Sequence, residues 1–266
     1  MTNGKKYKGC CNSAATLIKY GVDTMNKINI KIADIIISIN CRYSYTARAC
    51  KDYIVDSSYA DFSVFCTNED IAAEINNDSE VLVSVDYAEF ICLYRKIADQ
   101  LPKYKRMVIH GAAITHNDFA LLFVAPSGTG KSTHIRLWKD AFGDNVDIIN
   151  GDKPIVSVDD EDTTIHGTPW AGKENWHKNR KAPLKAICIL KQSKHICIKK
   201  VYPQEYLPLL LNQVYLPRGT DSLKLTLGLF NKLVAKIPVY ILECDISQNA
   251  VMAAYNAIIE EDLHEN

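Results

Sequence analysis

Residues 119–138 read FALLFVAPSGTGKSTHIRLW. An apolar run stops at Ala125-Pro126, the small residues Ser127, Gly128, Thr129 and Gly130 follow, and Lys131, Ser132 and Thr133 open a segment carrying Leu137 and Trp138. That order predicts a buried strand, a loop and an amphipathic helix. Gly128 and Gly130 permit backbone angles closed to other residues, so successive N–H groups can turn inward around an anion. A helix beginning at Lys131 points its positive end at the same spot. Against the phosphate-binding pattern G-x-x-x-x-G-K-[ST], residues 125–132 read APSGTGKS, with Ala125 in place of the first glycine. On this reading Ser127, Gly128, Thr129, Gly130, Lys131, Ser132 and Thr133 hold the phosphates of ATP. Lys131 reaches the terminal phosphates, and the Ser132 hydroxyl ligates a bridging Mg²⁺. The plain alternative is a glycine turn that binds nothing, and the flanking strand and helix weigh against it.

The totals narrow the field. With 266 residues, 47% of them apolar and 23% charged, the chain can bury a large core as one big domain or two small ones. Its 31 basic and 31 acidic residues cancel, which argues against a nucleic-acid partner bound through bulk charge. No apolar run has the roughly 18–20 residues a membrane crossing needs. Nine cysteines at irregular spacing, with no CxxC pair, suit reduced thiols in a cytoplasm better than a disulfide framework or a zinc site. Residues 1–25 are a poor signal peptide and read as a loose, disordered extension, with Met25 as an alternative start.

Outward from the loop, INIKIADIIISIN (28–40) shows the period-two signal of two strands around Ala33-Asp34. DFSVFCT (61–67) is a further strand, and Thr67 with Asp70 has the spacing of a helix cap. EVLVSVD (80–86) reads as a strand whose Asp86 caps a helix with Phe90, Leu93, Tyr94, Ile97 and Leu101 on one face. Residues 26–100 thus read as a small mixed α/β unit with nothing catalytic visible, and 101–266 as a second domain built around the loop. There RMVIHGAAI and FALLFVA read as strands joined by a turn at Asn117-Asp118, and Gly143 suits the end of the helix 131–142. VDIIN, an acidic-tipped hairpin at 154–167, LKAICILKQ, HICIKKVY and VYILECD supply more strands, with helices near 203–214, 222–236 and from Ser247.

Three further places carry candidate chemistry. Asp152 follows a buried strand, so it belongs at a sheet's carboxyl edge, able to take a proton from an attacking hydroxyl, bind Mg²⁺, or both. Equally, Asn150-Gly151-Asp152 can be a mere turn. HGTPWAGKENWHKNRK (166–181) packs small residues, Trp170 and a run of cations into one loop. Folded over the site it could bring Lys173 to the phosphates and Trp170 as a wall; otherwise it is a solvated basic surface. Arg218 and the acidic tip 159–162 read more readily as a turn and a solvated hairpin end, and of Thr133 and His134 the former is the better phosphate or ribose contact.

The stretches IHGAAI (109–114), APSGTGKSTHIRLW (125–138), INGDKP (149–154) and HGTPWAGKEN (166–175) resemble the HPr kinase/phosphorylase and ATP-dependent PEP carboxykinase type of P-loop protein, and in particular small bacterial HPr-kinase-like kinases. The resemblance implies a P-loop α/β domain with a mixed sheet, preceded by a small N-terminal α/β unit. It implies catalytic roles for Asp152, Lys131, Lys173 and His110, metal ligation by Ser132 and Asp152, and ATP with Mg²⁺ as cofactors. Where the HPr kinase has paired aspartates this chain has Gly151-Asp152, or, aligned on PEP carboxykinase, Asp152-Lys153, so one carboxylate is missing. The phosphorylase-associated motif has no counterpart. The expectation is an ATP-dependent kinase acting on a serine-type hydroxyl of a peptide, protein or small metabolite, without nucleic-acid or membrane partners and with an oligomer left open. The other expectation is a nucleotide-binding accessory module with no transfer activity.

Overall fold

The computed structural model describes residues 25–77 and 83–260, so the reading of residues 1–24 as an extension falls outside the described residues. Strands β1 (Asn26–Ile32) and β2 (Ile35–Cys41) pair antiparallel, with Ile32 opposite Ile35. Ala33 and Asp34 turn the corner at φ 52° and 65°, the left-handed pair that a two-residue hairpin loop demands. Helix α1 (Ser44–Ala49) follows, and β3 (Phe62–Phe65) returns parallel to β2. Helix α2 (Asn68–Asn77) starts from a reciprocal cap. The Asp70 amide donates to the Thr67 hydroxyl (3.2 Å), and the Thr67 amide donates to the Asp70 carboxylate (2.9 Å).

Helix α3 (Val85–Gln100) buries Phe90, Leu93, Tyr94 and Ile97 along one face, as their spacing predicts. The strand expected over 80–86 is corrected where it is described. Residues 80–82 lie outside the described residues, Ser84 is extended, and Val85 and Asp86 already form the first helical turn. Alternation of Val83 and Val85 is too short to separate a strand from a helix start.

The larger sheet is mixed and grows around the quoted stretch. Strands β4 (Arg106–Val108), β5 (Ala112–His116) and β6 (Phe119–Val124) precede helix α4 (Lys131–Phe142). Then come β7 (Val146–Asn150), β8 (Ile155–Val158), β9 (Thr163–His166), β10 (Lys181–Gln192) and β11 (Cys197–Lys200). Helices α5 (Pro203–Leu211) and α6 (Thr220–Lys236), strand β12 (Val239–Cys244) and helix α7 (Gln248–Tyr255) complete the described chain. The order is β4-β8-β9-β10-β6-β5-β7, with β12 beside β10 and β11 beside β12. Strands β6 and β12 run parallel to β10, and the remaining pairings are antiparallel.

Both faces of β6 are covered, which explains its unbroken apolar run. Ala120, Leu122 and Val124 join one core with residues of α5 and α6, while Leu121 and Phe123 join another with Ile135 and Trp138 of α4 and Val251 of α7. RMVIHGAAI, read as one strand, is two. At His110 and Gly111 the backbone leaves the ladder, donating to the carbonyls of Gln213 (2.7 Å) and Asp152 (2.9 Å). A third core joins the small sheet to the large one, since Val108, Ile155 and Trp170 pack with residues of β1–β3 and α3. Cys41, Cys50, Cys66, Cys92 and Cys188 are buried free thiols. Among the described residues no helix is long and apolar enough to cross a membrane.

Candidate functional site

Where β6 ends, the chain curls. Gly128 and Gly130 sit at φ 78° and 108°, conformations that cost a residue with a Cβ roughly 1–2 kcal/mol, and neither has a neighbour that a Cβ would strike. They are glycines for their backbone angles, then, and not for space. The Thr129 amide closes a turn on the Pro126 carbonyl (3.3 Å). The amides of Gly128, Gly130, Lys131, Ser132 and Thr133 donate to no described residue. Three of them are the orphan donors of the α4 N-terminus, which carries the positive end of the helix dipole. Lys131 is buried and folds back, its Nζ donating to the carbonyls of Ala125 (2.8 Å) and Pro126 (3.4 Å). Burial pulls its pKa below the ordinary lysine value, and the charge of Asp152 partly offsets that.

Asp152 is placed by the turn that leaves β7. Buried Asn150 organises it, its Oδ1 accepting from the amides of Asp152 (2.8 Å) and Lys153 (2.7 Å). The Nδ2 of Asn150 donates to Thr168 Oγ1 (3.0 Å) and Thr168 O (2.9 Å), so this turn and the HGTPW segment are locked together. His110 Nε2 lies 3.2 Å from Asp152 Oδ1, and Lys153 Nζ donates to Oδ2 at 2.9 Å. Burial alone would raise the Asp152 pKa; the His110 hydrogen bond and the Lys153 charge outweigh it and hold the group at about 2. Gly172 (φ 74°) packs so closely that a Cβ there would come within 3.1 Å of Asp152 Cβ. The left-handed backbone and this tight contact together favour glycine here.

One cleft of about 1180 Å³ collects these parts. Ser127, Gly128, Gly130, Lys131, Ser132 and Thr133 line it together with His110, Asp152 and Lys173. Lys173 is exposed and makes no ion pair or hydrogen bond to a described residue. Thr129 lines a neighbouring cavity of about 500 Å³ with His134, Leu137, Leu190, Cys244 and Ile246, and Gly130 and Thr133 border both. His134 is buried and accepts a hydrogen bond from Trp138 Nε1 (3.1 Å). Arg218 is exposed and lines neither cavity. Trp170 walls a different chamber, described below. The acidic tip is a solvated hairpin end, where Asp159 pairs with Arg106 (3.3 Å) and Asp160 with Lys105 (3.4 Å) and Lys232 (3.1 Å).

Residues 26–100, in which the sequence shows nothing catalytic, contribute side chains to this cleft. Tyr45, Arg48, Lys51, Asp52 and Tyr87 also line the cleft. Tyr53 OH meets His177 Nδ1 at 3.2 Å, and Asn179 donates to the Asp52 carbonyl (2.9 Å), fastening the 172–180 segment to the small sheet's unit. The SYTARACKDY stretch (44–53) carries no motif that marks it; its cations reach the cleft because α1 follows β2 at that edge. Lys153, too, stands in the site as a direct partner of the key carboxylate.

No family model matches this chain, and no curated protein matches it either. Among solved structures, the Hpr(Ser) kinase/phosphatase from Coxiella burnetii is similar with a TM-score of 0.36 and 8% identity, over 58% of this chain and 98% of that one. Overlap this loose carries no weight for either fold or activity.

Proposed function

We propose that this protein is an ATP- and Mg²⁺-dependent kinase that moves the γ-phosphoryl group to a serine-type hydroxyl of a peptide, protein or small metabolite. The observation that carries the proposal is the curl of unpartnered amides at Gly128 and from Gly130 to Thr133, opening on the same cleft as the Asp152–His110–Lys153 cluster. Such amides at a helix N-terminus suit a polyphosphate. The adjoining cavity, largely apolar and sharing Gly130 and Thr133 with the cleft, suits a nucleobase.

Ser132 and Asp152 offer a hydroxyl and a carboxylate, hard oxygen donors. The described residues contain no cluster of three or more His, Cys, Asp or Glu side chains that could cage a metal. That sparse donor set fits Mg²⁺, which keeps most of its waters and phosphate ligands. When bound, Mg²⁺ would be held by Ser132 and Asp152 and would supply positive charge against the phosphates. Lys131 would swing from its carbonyl contacts to the terminal phosphates, and Lys173 would approach from the opposing segment.

The acceptor oxygen bonds to the γ-phosphorus as the bond to the β–γ bridging oxygen breaks, and ADP leaves with that electron pair. The hydroxyl proton passes to Asp152. A carboxylate held near pH 2 is a weak base, but in a loose phosphoryl-transfer transition state the hydroxyl becomes acidic only as its bond to phosphorus forms. His110, holding Oδ1, fixes the direction of the carboxylate.

A non-catalytic nucleotide-binding module is the second reading. One observation favours it: both oxygens of Asp152 are engaged, by His110 and by Lys153. Incubation of the purified protein with ATP, Mg²⁺ and a mixture of free serine, hydroxyl metabolites and peptides, followed by mass spectrometry, separates the two. An acceptor heavier by one phosphate establishes the kinase. Bound ATP with no phosphorylated product, across the mixture, leaves the module.

A further inference from the structure

Behind Asp152 lies a second chamber of about 320 Å³, between α3 and the Pro169–Gly172 segment. Phe90, Tyr94 and Trp170 form its inner wall, with Tyr45, Tyr87 and Tyr215 nearer the rim, and Asp152 and Lys153 stand where it meets the cleft. The rings already pair with one another. Phe90 stacks on Trp170 at 5.6 Å, Tyr94 lies 5.3 Å from Trp170, and Tyr215 meets Tyr94 edge-on at 5.9 Å. The polar handles of Trp170 and Tyr215 are satisfied, by the Phe90 carbonyl (3.3 Å) and the Asp99 carboxylate (3.1 Å). Tyr94 differs: it is only 6% exposed, and its hydroxyl makes no hydrogen bond to any described residue. A phenol hydroxyl that no described residue holds, on the wall of a cavity that opens on a carboxylate, offers a hydrogen bond to a hydroxyl-bearing ligand.

We infer that this chamber receives the phosphoryl acceptor, and that the acceptor is an alcohol carried beside a neutral aromatic group. The inference rests on the kinase reading of the cleft and names the substrate class for it. The ring would sit among Phe90, Trp170 and Tyr94, and the alcohol would lie at the mouth beside Asp152. A cavity of about 150 Å³ suffices for benzene, so this one accommodates a ring with a short arm. A cationic group is disfavoured because Arg95 and Lys153 share the lining and Asp152 is already paired. The transfer step is the one given above, with the aromatic alcohol's oxygen forming the new bond to phosphorus and its proton passing to Asp152. Two sources share this chemistry: a small aromatic alcohol, and a peptide serine flanked by an aromatic residue.

The test uses the whole protein in two arms. Without nucleotide, 2-phenylethanol and ethanol are titrated while tryptophan fluorescence is followed. The expected result is saturation by 2-phenylethanol at about millimolar concentration and none by ethanol. Tyr94→Phe, which removes only the hydroxyl, should weaken binding about tenfold. Ile91→Trp, which fills the chamber from α3, should abolish it, and Mg-ATP affinity should stay within about twofold in both variants. With Mg-ATP, acetyl-Ser-Phe-amide and 2-phenylethanol are compared with acetyl-Ser-Gly-amide, and whichever aromatic probe is phosphorylated at least about tenfold faster identifies the source. Mg-ATP binding without any preference for the ring overturns the inference and leaves the cleft reading standing. Saturable ring binding without Mg-ATP binding overturns the cleft reading and the acceptor role with it, and leaves only an aromatic-binding chamber.

Discussion

On one wall of the cleft, Gly128 and Gly130 to Thr133 present main-chain amides; on another, α1, the turn after it and α3 present the side chains of Tyr45, Arg48, Lys51 and Tyr87. A wall of backbone needs residues that permit its angles, and those leave a local signature of glycines, a lysine and a hydroxyl in eight consecutive positions. A wall of side chains needs only that distant elements converge. Such a wall has no spacing to read. The two walls also differ in what a substitution does, since losing one side chain removes one contact, whereas distorting the loop misdirects several donors at once.

The largest effect is expected for Lys131→Ala. Phosphoryl transfer should fall on the order of 10³-fold, since a charge aimed at the reacting group is lost. Losing the contacts to Ala125 and Pro126 should cost only about 1 kcal/mol of stability, readable in a denaturant midpoint. Transfer from labelled ATP surviving in this variant would mean the backbone wall is not the phosphate site.

Next comes Asp152→Asn, at the seam between the walls. His110 and Lys153 keep a partner of the same shape, so the turn held by Asn150 should persist and Mg-ATP affinity should change only a few-fold. Transfer should drop about 10²–10³-fold, because an amide cannot take the acceptor's proton. Equal rates in variant and wild type would assign the proton to another group.

The same contrast explains how much was legible in sequence. The hairpin turns at Ala33-Asp34 and Asn117, the cap at Thr67 and Asp70, and the helix after Gly130 are local, and each has its own residue requirement. His110, Asp152 and Lys173 were readable as candidates, and they do share one cleft. Not readable were Arg48 and Lys51, which look like ordinary surface cations until β2 delivers α1 to the cleft. Asn150 looked like a turn residue because Asn-Gly favours turns; its buried double role toward Thr168 and the Asp152 amide depends on a partner eighteen residues away. The division of RMVIHGAAI was hidden for a similar reason, since the carbonyls that draw out His110 and Gly111 belong to Gln213 and Asp152.

A smaller effect is expected for Arg48→Ala on the side-chain wall. Arg48 is exposed, and salt screens exposed charges. The KM for Mg-ATP or for an anionic acceptor should rise about fivefold at low ionic strength, with the difference closing at high salt. A loss as large as that of Lys131→Ala would mean that both walls hold the phosphates directly.

The smallest effect concerns acid, to which the two walls should respond with opposite signs. Beneath the loop, His134 is buried against Phe123, with ring centroids 4.8 Å apart, and burial holds its pKa down to about 4. Between pH 6.5 and 4 only the unfolded chain takes up that proton, so the folded state loses stability as pH falls. At pH 6 the loss is just under ~1 kcal/mol. Below α1 the buried Glu89 accepts from the amides of Arg42 (2.8 Å) and Tyr43 (3.1 Å). Burial raises its carboxyl pKa despite those two bonds, so its cost at neutral pH is relieved as pH falls through that raised value toward the ordinary carboxylate value. His166, also held at about 4, adds a share equal to that of His134. His134→Gln keeps an oxygen able to accept the Trp138 indole N–H and removes one titration. Denaturant midpoints at pH 7 and pH 6 should therefore lie closer together in that variant than in the wild type. An unchanged interval would show that His134 is already protonated in the folded protein at pH 6, and the loop wall would then rest on a charge.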